Sequence, residues 1–318
     1  MKNSLRNLAI LIPTIALAAA AIALRCAACQ IELDYSTGLF NGNLLISISN
    51  YTVVGLVVLF ISSIFIKRGV SHLCPSFRGP LSYLPSGALA ASLVFISAEL
   101  FSYAHRGAAK AGGLFSHPSF AVALIAGVLA LCGVVYCVLS IFISANRSLL
   151  RADFGMLASL FFACYTAFLF FVMGSPINQP VKITDEMAFL AIAIFFLYET
   201  RVSLERERWS HYFAFGSVAA LLSAYSSFPA LFVYIFKGEV ISVSIQQTLV
   251  AFASFIFVVC RLISAARLDE DTPSSFASAI EAQIAASHDG AAKEKTSEEE
   301  SPQISIEDIE YPERQSEE

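Results

Sequence analysis

The chain has 318 residues, of which 57% are hydrophobic and only 14% charged, with a formal net charge of −5. A water-soluble globule cannot hide that much apolar surface, and a net negative chain offers no basic footprint for nucleic acid. The composition points to a polytopic membrane protein whose first partner is the lipid bilayer.

A helix rises 1.5 Å per residue, so crossing about 30 Å of hydrocarbon takes about 20 residues. Eight apolar runs approach or exceed that length, near 8–25, 44–66, 85–104, 120–143, 154–173, 187–200, 211–236 and 243–266. They predict an all-α fold, with an eight-span transmembrane domain over residues 1–268. A disordered acidic tail, 269–318, follows.

The first run has the basic start of a signal peptide, Lys2 and Arg6, before an apolar stretch over 8–24. No small-x-small cleavage site follows, because Arg25 and Cys26 interrupt it, so an uncleaved helix is expected. Cys26 and Cys29 then form a CxxC at the outer end of this helix. They are a candidate redox pair. The alternative is two independent thiols, since no thioredoxin-like strand precedes them and no second CxxC exists for a metal. The loop after this span holds the turn formers Asp34, Thr37, Gly38, Asn41 and Gly42 with apolar Tyr35, Leu39 and Phe40. It reads as a short hairpin or a packed connection.

The third span carries Glu99, a carboxylate well inside hydrocarbon. A charge there costs at least about 3 kcal/mol, so it must face protein or water, or be protonated. Phe95, Ser102, Tyr103 and Arg106 share its side of a helix. Two readings stand. Glu99 either snorkels toward Arg106 or serves as a proton or cation ligand.

The sixth run is the weakest, with an apolar part confined to 187–198. The seventh is polar for a span. Ser217, Ser223, Tyr225, Ser226 and Ser227 precede Pro229, where the helix has a place to break. Tyr225, Ser226 and Ser227 are therefore candidate cavity residues together with Glu99. Close helix packing by small residues explains the same pattern. Weak similarities between the third and seventh spans, and between the ends of the fourth and eighth, fit chance in Ala- and Ser-rich helices.

Cys132, Cys137, Cys164 and Cys260 fall in spans and read as small hydrophobes. The five histidines lack metal-ligand spacing, and no phosphate-binding loop or GxSxG motif is present. The sequence thus supports no catalytic residue, metal or cofactor. With the N-terminus inside, 12 basic residues fall on the inner side and 5 on the outer, which places both termini inside a cytoplasmic membrane. The single tryptophan, Trp209, falls at a predicted interface.

The tail holds 15 acidic and 3 basic residues, a net of −12. It is too polar to bury a core and is expected to be disordered. Two function classes follow. The first is a non-enzymatic membrane component whose tail, 269–318, recruits or regulates cytoplasmic partners. It is favoured by the tail and by the scarcity of charge inside the spans. The alternative is a small-molecule transporter or channel with a cavity near Glu99 and the Ser-rich seventh helix.

The predicted topology is testable by single-cysteine labelling of intact cells in a cysteine-free background. A reporter at Ser36 should react with an impermeant maleimide and one at Ser297 should not. The reverse pattern would overturn the orientation.

Overall fold

The computed structural model describes residues 2–35, 39–42, 44–65, 80–142, 149–172, 179–204 and 209–266. The acidic tail, expected to be disordered, lies outside the described residues. Eight long helices occur among those described: α1 (Lys2–Ile31), α2 (Leu44–Ser62), α3 (Pro80–Ala111), α4 (Pro118–Phe142), α5 (Leu149–Phe171), α6 (Pro180–Ser203), α7 (Trp209–Lys237) and α8 (Ile245–Ala266). Three of them open on proline, which lacks the N–H that a first helical residue leaves unbonded anyway.

Seven of these helices are long and apolar enough to cross a membrane, so the chain is an integral membrane protein. The exception is α6. Its 24 residues reach about 36 Å, but it carries Lys182, Asp185, Glu186, Glu199 and Arg201. The core is mostly apolar, but small polar residues are buried in it and large apolar ones also face outward. Ser49, Ser92, Ser97, Ser119, Ser140, Ser159 and Ser254 are buried, while Tyr51, Val54 and Val58 of α2 and Ile125, Val128 and Leu131 of α4 face outward. Small residues let membrane helices approach closely, and large apolar ones face lipid.

Six helices form a closed cycle of neighbours: α3 packs on α4, α4 on α5, and so on to α8, which returns to α3. The first pair, α1 and α2, pack on each other and against the outside of the cycle at α7. The packing therefore does not divide into two four-helix halves. Between α1 and α2, Leu33–Asp34 and Leu39–Phe40 pair as an antiparallel ladder, with Leu33 opposite Phe40. The loop is a minimal hairpin. Glu32 Oε1 accepts the Leu45 N–H at 3.3 Å, bonding an amide at the start of α2.

One expectation changes. The seventh helix does not break at Pro229; α7 runs continuously through it. Trp209 opens α7. It is buried against Tyr212 and Phe213 at the start of α7.

The middle of the cycle is aromatic. Phe162 of α5 stacks on Phe196 of α6 with ring centres 5.3 Å apart, and Phe196 stacks on Phe257 of α8 at 5.6 Å. Phe189, one helical repeat before Phe196, stacks on Phe162 and meets Tyr165 edge-on at 4.9 Å. All five rings are buried.

Removing Phe196 leaves a void that neighbours on three helices cannot collapse into. Phe196→Ala should cost about 3–5 kcal/mol, whereas Leu131→Ala on the outer face of α4 should cost far less. Thermal unfolding of the purified protein in detergent checks this, and equal midpoint losses for the two variants would contradict the packing.

Candidate functional site

The expected scarcity of charge inside the bundle does not hold. Arg25, Arg151, Lys182, Asp185, Glu199 and Arg261 are all buried. They gather at the two ends of α6. Asp185 and Glu199 stand 14 residues apart, hence about 21 Å along the helix axis, with Phe189 and Phe196 between them.

At one end, Glu199 is fully buried, and it collects hydrogen-bond donors from three other helices and an ion-pair partner from a fourth. Tyr136 of α4 donates to Oε1 at 3.1 Å, and Arg151 of α5 donates to the same oxygen at 3.3 Å. Tyr212 of α7 donates to Oε2 at 2.7 Å. The Arg261 Nε of α8 lies 3.5 Å from Oε1. The Arg261 guanidinium also faces the Phe257 ring at 5.0 Å. A carboxylate in a dry interior needs this number of donors, because two ions are rarely worth their desolvation without extra hydrogen bonds. Gly155 makes the approach of α5 to α6 possible. A Cβ there would lie 2.8 Å from Thr200 Oγ1 and 3.3 Å from the Tyr136 ring.

At the other end, Asp185 is 2% exposed. Ser226 of α7 donates to Oδ1 at 2.5 Å, and Gln247 Nε2 of α8 donates to Oδ2 at 2.6 Å. Gln247 Oε1 accepts from the buried Tyr165 hydroxyl at 3.5 Å. Arg25 reaches this end from α1. Its Nη2 donates to Thr184 Oγ1 at 3.0 Å, and its guanidinium lies over the Tyr225 ring, 4.2 Å from the centre. The Tyr225 hydroxyl in turn bonds Ser49 and Asn50 of α2, each at 2.7 Å. Lys182 donates to the Phe170 carbonyl at 3.3 Å, fastening α6 to the end of α5.

The residues singled out from the sequence fall as follows. Tyr225 and Ser226 both belong to the Asp185 cluster. Ser227 is buried, and its hydroxyl has no hydrogen-bond partner among the described residues. Glu99 is half-buried and accepts from Ser244 Oγ at 2.9 Å, just before α8, rather than from α7. Ser244 also receives the Gln247 N–H at 3.1 Å, which links Glu99 to the cluster through the start of α8. Arg106 donates back to the Ser102 carbonyl at 3.2 Å. Cys26 and Cys29 are free thiols on the last turns of α1. Cys29 packs with Leu33, Val181 and Val233 in a small apolar cluster.

Sequence reasoning missed Asp185, Glu199, Gln247 and the three arginines. The signal available was a sixth run bounded on both sides by acids. Among the described residues no group of three or more His, Cys, Asp or Glu is placed to hold a metal ion. No protein-family model, curated protein or solved structure matches this chain.

Replacing Glu199 by Gln removes the charge that faces Arg151 and Arg261 and should destabilise the protein by about 3–5 kcal/mol. Tyr212→Phe removes one neutral donor and should cost about 1–3 kcal/mol, as one donor of several is lost. Thermal midpoints in the same detergent compare them. A Glu199→Gln protein as stable as wild type would show that the cluster is not a paired network.

Proposed function

We propose that the chain is a small-solute transporter of the cytoplasmic membrane, with the solute held at the Asp185 end of α6. In this reading α6 also crosses the membrane and brings the spans to eight, with Asp185 and Glu199 turned inward and Ile183, Met187, Leu190 and Leu197 facing lipid. Both termini lie inside, which puts the acidic segment 269–318 on the cytoplasmic side. The reading rests above all on one observation: a single helix of the bundle, α6, carries two buried carboxylates, each met by side chains of other helices, with stacked aromatics between.

Ionisable groups inside a bundle are expensive and mark solute or ion pathways more often than they mark scaffolding. The donors around Asp185 suit exchange. Ser, Gln and Tyr side chains both donate and accept, so they can turn from the carboxylate to a polar solute. The aromatic layer between the two polar ends is a barrier that excludes water and has no fixed hydrogen bonds to break when helices shift. The scaffold reading keeps one specific support, the net −12 of the tail, which suits recruitment of a basic cytoplasmic partner.

Proteoliposomes holding the full chain should take up at least one radiolabelled solute from a panel of amino acids, amines, carboxylates, sugars, nucleosides, sodium and rubidium. Asp185→Asn should reduce that uptake at least tenfold while the protein retains its thermal transition. Uptake no faster than in empty vesicles across the whole panel would overturn the transport reading.

A further inference from the structure

Arg25 and Asp185 carry opposite charges, are 3% and 2% exposed, and lie close enough to act on each other electrostatically. Two such groups in a dry interior ordinarily pair directly, because each is costly alone and a shared pair recovers part of that cost. Here no ion pair within 4.0 Å joins them among the described residues. Arg25 instead donates to the neutral Thr184 hydroxyl and rests on the face of Tyr225. Asp185 instead accepts from the neutral Ser226 hydroxyl and Gln247 amide. Each charge is thus satisfied by a neutral group that the other's natural partner would outcompete.

We infer that Arg25 and Asp185 are the two poles of a binding site for a small zwitterion, a molecule with an N–H-bearing cationic nitrogen and a carboxylate. The inference rests on the placement of the solute at Asp185 proposed above. The solute carboxylate replaces Thr184 as acceptor for the Arg25 guanidinium, whose donor fork matches a carboxylate in two-point geometry. The solute ammonium replaces Ser226 and Gln247 as donor to Asp185. The serine hydroxyl and the Gln247 carbonyl oxygen then turn to accept further ammonium protons.

The backbone supplies one more acceptor. Pro229 has no N–H to give the Tyr225 carbonyl one turn earlier, and that carbonyl directly precedes Ser226 in α7. A simple cation at Asp185 meets the repulsion of Arg25, and a simple anion at Arg25 meets that of Asp185. Only a dipolar solute is matched at both poles, and its net neutrality leaves the charge of the site unchanged.

The test uses the purified full chain in detergent, with thermal stabilisation and calorimetry as readouts. The probes are glycine, β-alanine and 4-aminobutyrate, which space the two charges increasingly far apart, against ethylamine, acetate and their equimolar mixture. At least one zwitterion should raise the unfolding midpoint by several degrees where the mixture does not. Arg25→Gln and Asp185→Asn should each weaken that binding at least tenfold.

Where either variant fails to fold, Arg25→Lys and Asp185→Glu take its place. Each keeps the charge, moves its position, and should change the preferred charge spacing among the three probes. Stabilisation by ethylamine or acetate alone as strong as by any zwitterion overturns the inference, as does no zwitterion binding or unchanged binding in both charge-removing variants. Uptake assays separate this from the transport reading. A zwitterion that binds but is not taken up overturns transport and leaves the site standing, whereas uptake of a different solute class without zwitterion binding does the reverse.

Discussion

A buried carboxylate must be met by donors, since hydrocarbon offers none, and α6 makes that demand twice. At Glu199 the answer comes from α4, α5, α7 and α8, and at Asp185 from α7 and α8. Every helix that contributes is thereby placed in rotation and in height against α6. Dispersion and small-residue packing bring membrane helices together but specify height weakly, because one apolar turn slides easily past the next. The acids supply that register. Accordingly α6, the one long helix among those described that falls short of a span on hydropathy, turns Asp185 and Glu199 inward while Ile183, Met187, Leu190 and Leu197 face outward.

The apolar rhythm made the helices legible, because the bilayer imposes a length and a hydropathy that any sequence must show. It also made α6 look marginal, for the reason that makes it important. Averaging hydropathy over a window treats Asp185 and Glu199 as a loss of signal, whereas their partners turn them into fixed points. Arg151 and Arg261 were counted toward orientation as loop-side charges, since nothing local distinguishes a basic residue in a loop from one that turns inward to an acid. Glu199 lies 48 residues from Arg151 and 63 from Tyr136, so their convergence exists only in the packing. By contrast, the polar stripe before Pro229 was visible, because consecutive Ser and Tyr are rare in a lipid-facing helix. That stripe led to Tyr225 and Ser226 without revealing the acid they surround.

The chemistry of the two ends differs. Glu199 faces two guanidiniums and two phenols, a set in which the donors cannot accept in return except through the tyrosine oxygens. Such a set locks. Asp185 faces groups that both donate and accept, so its network can be rewired without leaving a buried polar atom unmatched. The rings of Phe162, Phe196 and Phe257 between them carry no hydrogen bonds that a shift would break. A bundle fixed at one end, apolar in the middle and rewirable at the other concentrates its capacity for rearrangement where Asp185 lies.

The position of α1 sharpens this asymmetry. Arg25 is carried by a helix outside the six-helix cycle, while Asp185 belongs to a helix within it. The polar ties of α1 to the rest include Arg25 to Thr184, Arg25 on the Tyr225 ring, and Ser49 of α2 bridging the Ala21 carbonyl to the Tyr225 hydroxyl, and Cys29 adds an apolar contact with Val181 and Val233. A displacement of α1 and α2 as a pair changes the separation of the two charges. It does so without touching the Phe162–Phe196–Phe257 stack or the Glu199 network, whose members lie on α4 to α8. The distance between a guanidinium and a carboxylate sets which dipolar molecule fits between them. The geometry of that site is therefore set by how α1 and α2 pack against α7, outside the aromatic stack and the Glu199 network.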